Sequence, residues 1–273
     1  MPRLTRSSPA RRTEGSWRAD LRRSLFLFNE FRYEQPDPAR FYTALAQDSA
    51  AQVGEYADLS GAKLLDVGGG PGYFRDAFTE AGATYYSLDS DVGELAGAGD
   101  ISSGTVIGSG MDLPFRDDAV DVCYSSNVLE HVPDPWRMAS EMVRVTRPGG
   151  LAFISYTTWY GPWGGHETSP WHFLGGRRAR RRYTETQGHE PKNKFGESLF
   201  AVTVSDGLRW ARGQDVADVV HLIPRYNPWW SRWLLHVPVV REVVTWNLVL
   251  VLRKRGPTRP RGSGGASSLA RRS

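Results

Sequence analysis

The stretch "LLDVGGGPGYF", residues 64–74, runs from strand-like apolar residues into an acid and then places four glycines within five positions. An apolar strand that stops at a glycine loop and restarts as a helix is the local build of a nucleotide-cofactor site. Without Cβ atoms the loop lets a ligand approach the backbone, and its amides favour anionic groups. Asp89 ends a second apolar run, "TYYSLD" (84–89). It lies about 20 residues further on, where a carboxylate would hold a pair of ribose hydroxyls. The dinucleotide fingerprint G-x-G-x-x-G is not met. Counted from Gly68 its third glycine falls on Tyr73, and counted from Gly70 on Arg75. What is present is D-x-G-x-G-x-G: Asp66, Gly68, Gly70, Gly72.

Around this stretch, helical and strand patterns alternate. A helix is expected over 37–59, with Asp37 as cap and Pro38 at its first position. Strands are expected at 63–67, 84–89, 104–109 and 119–126, and a helix at 72–81 stopped by Gly82. A second helix, 134–150, repeats the cap logic with Asp134 and Pro135 and aligns Met138, Met142 and Val145 on one face. "RPGG" (147–150) then turns into a fifth strand, 151–157. Alternation of this kind gives a parallel sheet with helices on both faces. After residue 157 the rhythm breaks into a long Trp-, Gly- and His-rich segment, 158–200. A short helix at 205–212, capped by Ser205, and closing strands at 216–224 and 245–254 complete the expectation.

Composition narrows the classes. With 273 residues and a single cysteine, Cys123, no internal disulfide forms, which suits a reduced, cytoplasmic compartment and a buried core thiol. "SLFLF" (24–28) is too short for a signal sequence, and no uncharged apolar run reaches bilayer length. The net charge of +4 hides a division. Residues 1–23 carry seven Arg against Glu14 and Asp20, and residues 253–273 carry six Arg and Lys254, so the body between them is acidic by eight. The two basic tails, 1–23 and 255–273, read as disordered and flank one domain, 24–254. An acidic body without a basic stripe argues against a nucleic-acid groove.

Five motifs in register, "LLDVGGGPG", Asp89, "GSGMDLPFRDDAVDV" (108–122), "SSNVLEHV" (125–132) and "RPGG", make the chain resemble the class I S-adenosylmethionine-dependent methyltransferases, in particular their type 11 small-molecule group. The later region also looks like a branch of actinobacterial methyltransferases without an assigned substrate. The resemblance implies a doubly wound, Rossmann-like α/β/α sheet of about seven strands, the last antiparallel, with an aromatic-rich insert after strand 5. It implies S-adenosyl-L-methionine as cofactor. Asp66 and the loop Gly68, Gly69, Gly70 and Gly72 would shape the pocket for its methionine part, and Asp89 would take both ribose hydroxyls. Ser109 stands where the family often has an acid for the adenine amino group, while Gly110 and Met111 would line the adenine. Asn127 would sit near the amino-acid end.

Transfer of a methyl group from a sulfonium asks the protein for orientation and, for a hydroxyl acceptor, a base. His131, His166, His172 and Glu130 are the base candidates; His131 fits equally a role in holding the loop by hydrogen bonds, and Glu130 fits better a structural role at the cofactor's adenosyl end or at a backbone amide. "HETSPWH" (166–172) lacks the helical H-E-x-x-H spacing, and no metal is expected from it. Trp159, Tyr160, Trp163, Trp171 and Phe173 offer flat faces to a sugar, an aromatic ring or a lipid chain, or pack the insert on the domain. A second aromatic segment, 225–244, carries Trp229, Trp230, Trp233, Leu234 and Leu235 with Arg225, Arg232 and Arg241 interspersed. It fits a segment resting on a membrane, and equally core packing or a dimer contact. The leading expectation is O-methylation of a small or lipid-linked metabolite, a sugar or glycolipid, by an enzyme in the cytoplasm or at the membrane's inner face. A non-catalytic cofactor or membrane binder and, behind it, a dinucleotide oxidoreductase are the competing classes.

Overall fold

A computed structural model of the chain describes residues 19–33, 37–91 and 104–256. Most of both basic tails lies outside the described residues. Seven strands form one sheet: β1 Lys63–Val67, β2 Thr84–Asp89, β3 Thr105–Ile107, β4 Val120–Ser126, β5 Thr146–Thr157, β6 Ala217–Pro224 and β7 Asn247–Lys254. Their order is β3-β2-β1-β4-β5-β7-β6. All pairings through β5 are parallel, and β7 runs antiparallel between β5 and β6. The doubly wound sheet with its antiparallel last strand is therefore present as the resemblance implied.

Both faces of the central strands are apolar, which is why they read as unbroken hydrophobic runs. Leu65, Cys123, Ile154, Leu248 and Leu250 point to one layer with Met138 and Met142. Leu64, Tyr124, Phe153, Val249 and Val251 point to the other, with Phe41, Leu45 and Phe78. The helices are α1 Leu21–Phe31, α2 Pro38–Gly54, α3 Arg75–Glu80, α4 Pro135–Val145, α5 Gly176–Gln187, α6 Val204–Arg212 and α7 Val240–Val244. Asp37 and Asp134 cap α2 and α4 through the amides of Arg40 and Arg137, each with Pro in the first turn.

Several boundaries differ from expectation for local reasons. Helix α3 starts at Arg75 because Gly72 takes φ +88°, which prolongs the loop. Helix α4 yields to β5 at Thr146, since Pro148 cannot continue a helix and Gly150 packs where a Cβ would lie 2.7 Å from the Asp121 carbonyl. Helix α6 is capped by Thr203, not Ser205. Thr203 Oγ1 accepts from the Asp206 amide at 3.1 Å, while Glu242 of α7 accepts from the amides of Val204 and Ser205. Helix α1 begins inside the stretch read as a tail. Asp20 caps it, and Arg23 forms a two-pronged ion pair with Asp48 of α2 at 2.6 Å.

Candidate functional site

The glycine loop follows β1 as a series of left-handed residues: Gly68 at φ +81°, Gly70 at +48° and Gly72 at +88°. Gly68 also has no room for a side chain, because a Cβ would meet Val128 at 2.4 Å. Gly69 sits over the end of β1, where a Cβ would lie 3.3 Å from both Asp66 Oδ2 and the Tyr85 hydroxyl. Asp66 is buried and receives a 2.6 Å hydrogen bond from that hydroxyl. Burial lifts its pKa to about 7; the Tyr85 bond pulls it down and the charge of Asp89 adds to the rise. Asp66 therefore braces the loop from below.

Asp89 ends β2 facing the loop. Its Oδ2 accepts from the Gly70 amide at 2.9 Å and its Oδ1 from the Asp91 amide at 2.9 Å. Each carboxylate oxygen retains a second lone pair, so two hydroxyl donors can still be taken. The next stretch is held from behind by α4. Arg144 donates to the carbonyls of Leu113 and Phe115 and pairs with Asp117 and Glu141, while Glu141 accepts from the Leu113 amide. Ser109 Oγ accepts from the Met111 amide at 3.2 Å, fastening the turn it opens. Gly110 packs so closely that a Cβ would lie 3.1 Å from Met138 and Val67. Asn127, at the tip of β4, adopts φ +57° and accepts from Asn247 Nδ2 at 2.6 Å.

These residues fit S-adenosyl-L-methionine: a left-handed glycine cradle with open space at Gly72, a carboxylate with acceptor capacity, and a strand-tip Asn. Two contacts that the sequence did not suggest complete this half. Tyr42 of α2 stacks on Tyr73 of the loop, with centroids 5.2 Å apart and planes 7° from parallel. Tyr85, read only as a strand residue, holds Asp66.

A second cluster of polar and aromatic side chains lies past the ends of β4 and β5. Glu130 is buried; its Oε1 accepts from the Thr157 amide at 2.9 Å and its Oε2 has no partner among the described residues. The backbone-amide role foreseen for Glu130 is thus present. His131 places Nδ1 2.8 Å from the Ser198 carbonyl, so Nδ1 carries the proton and Nε2 the free lone pair. His166 comes from the insert, at φ +48°, with its ring 5.0 Å from that of His131 and its buried Nδ1 without a hydrogen-bond partner among the described residues. Burial, with the neighbouring His131, lowers its pKa to about 3. His172 is not with them. It is fully buried, its Nε2 lies 3.2 Å from the Gly161 carbonyl and its Nδ1 3.3 Å from Ser169 Oγ. It pins the insert to itself, and Gly165 is glycine because a Cβ there would strike the ring at 2.5 Å.

The aromatics divide likewise. Trp159 packs on His172 and Phe195, and Trp163 on Phe28, Phe31 and Trp246, while Tyr160, Trp171 and Phe173 are exposed. In 225–244, Trp229, Trp230 and Trp233 are 62, 56 and 58% exposed, but Leu235 is buried. Arg225, in a segment left open between a membrane face, a dimer contact and core packing, is fully buried. It donates to the hydroxyls of Ser126 and Ser155 at 2.7 Å and of Ser49 at 2.6 Å. Its carbonyl receives Arg23 Nη1 at 2.8 Å, tying α1 to the sheet.

Comparison with known proteins gives the family and the fold. A type 11 family model described as a methyltransferase domain matches residues 65–154, from β1 through β5. A protein of Mycobacterium marinum named "uncharacterized methyltransferase" is 53% identical over 248 residues, covering 87% of this chain and 96% of that one. A protein of the same name from Mycobacterium tuberculosis is 55% identical over 245 residues, covering 86% and 96%. A crystal structure of an S-adenosylmethionine dependent methyltransferase from Mesorhizobium loti superposes with a TM-score of 0.53 at 21% identity, over 77% of this chain and 98% of that one, and shares the fold. With the glycine cradle, the Asp89 carboxylate and near full-length relatives in agreement, the chain belongs to the type 11 methyltransferases, enzymes that use S-adenosyl-L-methionine.

Proposed function

We propose that this methyltransferase O-methylates a small or lipid-linked acceptor, a sugar or glycolipid, at the face past β4 and β5. The observation that carries the reading is His131. Its Nδ1 is committed to the Ser198 carbonyl, which leaves Nε2 as a proton acceptor on the turn that follows the Asn127 tip. The cofactor supplies an activated methyl group; the chain's own work is to hold it, to align the acceptor and to receive the hydroxyl proton. His166, kept neutral by burial, faces the same space. The exposed rings of Tyr160, Trp171 and Phe173 suit stacking on a sugar.

The lipid-linked part of the reading rests on a second surface. Among the described residues no helix is long and apolar enough to cross a membrane. Yet Leu21 and Leu25 of α1 are exposed, as are Trp229, Trp230, Trp233, Val239, Val240 and Val243, and the Trp229 amide bonds to the Ala19 carbonyl at 2.6 Å, joining the two segments. Tryptophans with aliphatic neighbours suit the headgroup boundary, and basic tails add attraction to anionic lipid.

The test is transfer of labelled methyl from S-adenosyl-L-methionine to polar-lipid and glycan extracts. Wild type is expected to label an alkali-stable ether, and His131→Ala to lose roughly 100-fold in rate with cofactor affinity retained. Label on nitrogen or carbon, or an unimpaired His131→Ala, rejects the hydroxyl reading. Co-sedimentation with anionic vesicles, lost on changing Trp229, Trp230 and Trp233 to Ser, tests the surface; absence of binding by wild type removes it.

A further inference from the structure

Glu130, His131 and His166 each bring one ligand-capable atom to within 4.8 Å of the others. Two of these groups are polar atoms buried without a partner among the described residues, Glu130 Oε2 and His166 Nδ1. A buried carboxylate oxygen left unpaired is costly, and so is an unpaired ring nitrogen beside it. The surroundings are those of an oriented ligand set. Glu130 Oε1 is fixed by the Thr157 amide and His131 Nδ1 by the Ser198 carbonyl, the usual outer partners that aim a carboxylate and an imidazole at a metal. His166 is held at φ +48° by a turn in which its amide bonds to the Trp163 carbonyl and Asn193 anchors the adjacent Glu167. A non-glycine residue kept in that region needs a reason, and strain of this kind gathers at binding sites.

We propose that Glu130, His131 and His166 form a binding site for one divalent first-row cation, Zn2+ in the first instance. Two imidazoles and one carboxylate are a ligand set that zinc accepts with a position left open. The set does not depend on the spacing within 166–172; it joins the turn after β4 to the insert, 35 residues apart from His131 to His166. Lys192 acts electrostatically on His166 and opposes a cation there, so affinity is set against that charge.

The site stands on its own geometry. Only its use rests on the O-methylation reading. An acceptor hydroxyl bound at the open position is acidified by the ion and gives its proton to water. Its oxygen then bonds to the methyl carbon, while the carbon–sulfur bond breaks with its electron pair going to sulfur. With the ion bound, His131 Nε2 would be its ligand and water would take the proton; in the ion-free protein His131 Nε2 takes the hydroxyl proton itself.

Metal-stripped full-length protein is titrated with Co2+ and followed by visible ligand-field absorption, with Zn2+ competition, in the absence of cofactor and acceptor. One equivalent of Co2+ is expected to give an intense band that Zn2+ abolishes. His166→Asn, chosen because Asn tolerates the left-handed backbone, and Glu130→Gln, which keeps the Thr157 bond, are each expected to weaken binding roughly 100-fold. Lys192→Met is expected to tighten it. No band at one equivalent, or a band unchanged in His166→Asn, overturns the proposal. Calorimetric binding of S-adenosyl-L-methionine by the same preparation shows that the fold is intact, and the labelled-methyl assay judges the hydroxyl reading separately.

Discussion

The two halves of the site are built in different ways. The cofactor half is made of backbone: left-handed glycines, a strand-end acid and amides, all within short reach of β1 and β2. The half proposed to take the acceptor, with the packing that closes around it, is made of side chains that meet across long stretches of chain. Arg225 reaches Ser49, Ser126 and Ser155, Phe28 meets Trp163, and His166 meets Glu130. A site of the first kind is carried by local geometry and tolerates a changing surface. A site of the second kind depends on the whole domain being closed around it.

If that difference is real, single substitutions should separate the halves. Arg225→Ala should act most strongly, on stability: it leaves the buried hydroxyls of Ser49 and Ser155 and the half-buried one of Ser126 without their donor, and a large cavity, about 4 kcal/mol in denaturant unfolding. Hydrogen exchange should rise in α1 and 225–246, with cofactor affinity changed less than about threefold. A fall in cofactor affinity in step with stability would make the two halves one unit.

The Asp66 carboxyl gives the cofactor half its own pH signature. Its folded pKa, near 7, lies above the ordinary value of 3.8, so between the two the folded state holds the extra proton. The stabilisation is full below pH 4 and is lost as pH rises through 7, up to about 4 kcal/mol between the limits. Comparing wild type with Asp66→Asn, which keeps the Tyr85 bond, should remove that slope, and a slope that persists in the variant assigns it elsewhere.

Gly68→Ala combines a positive φ with a 2.4 Å approach to Val128, and is expected to cost about 3 kcal/mol and to abolish cofactor binding in calorimetry. Smallest is Arg144→Ala. Releasing the loop around Leu113 and Phe115 should weaken cofactor binding about fivefold, near 1 kcal/mol, with the acceptor half's exchange pattern unchanged.

The same division decided what could be read from sequence. The cofactor half was legible because its signals are local: "DVGGGPG" must turn where Asp66 ends β1, and Asp89 must face it. The sheet was legible for the same reason, with β4 and β7 buried on both faces. Helix α5, "GRRARRRYTETQ", gave no signal because it is polar nearly all round and buries only Gly176 and Ala179. The sequence left Arg225 open between surface and core, because a charge seldom enters a core and nothing in "PRYN" announces three hydroxyls from other segments. His172 resembled its neighbour His166 in sequence. Only the fold shows one locked by Gly161 and Ser169 and the other facing Glu130.

The position of β7 has a consequence for how the molecule is made. Among the described residues strand β6 pairs with β7 alone, and β7 in turn fills the gap beside β5. During synthesis the parallel run β3-β2-β1-β4-β5 can assemble as it leaves the ribosome. The β5 edge and all of β6 then wait, unpaired, until residue 254 has emerged. The cofactor cradle is thus finished early and the acceptor wall last, so a chain cut short before β7 would carry a formed glycine loop beside an open, adhesive sheet edge.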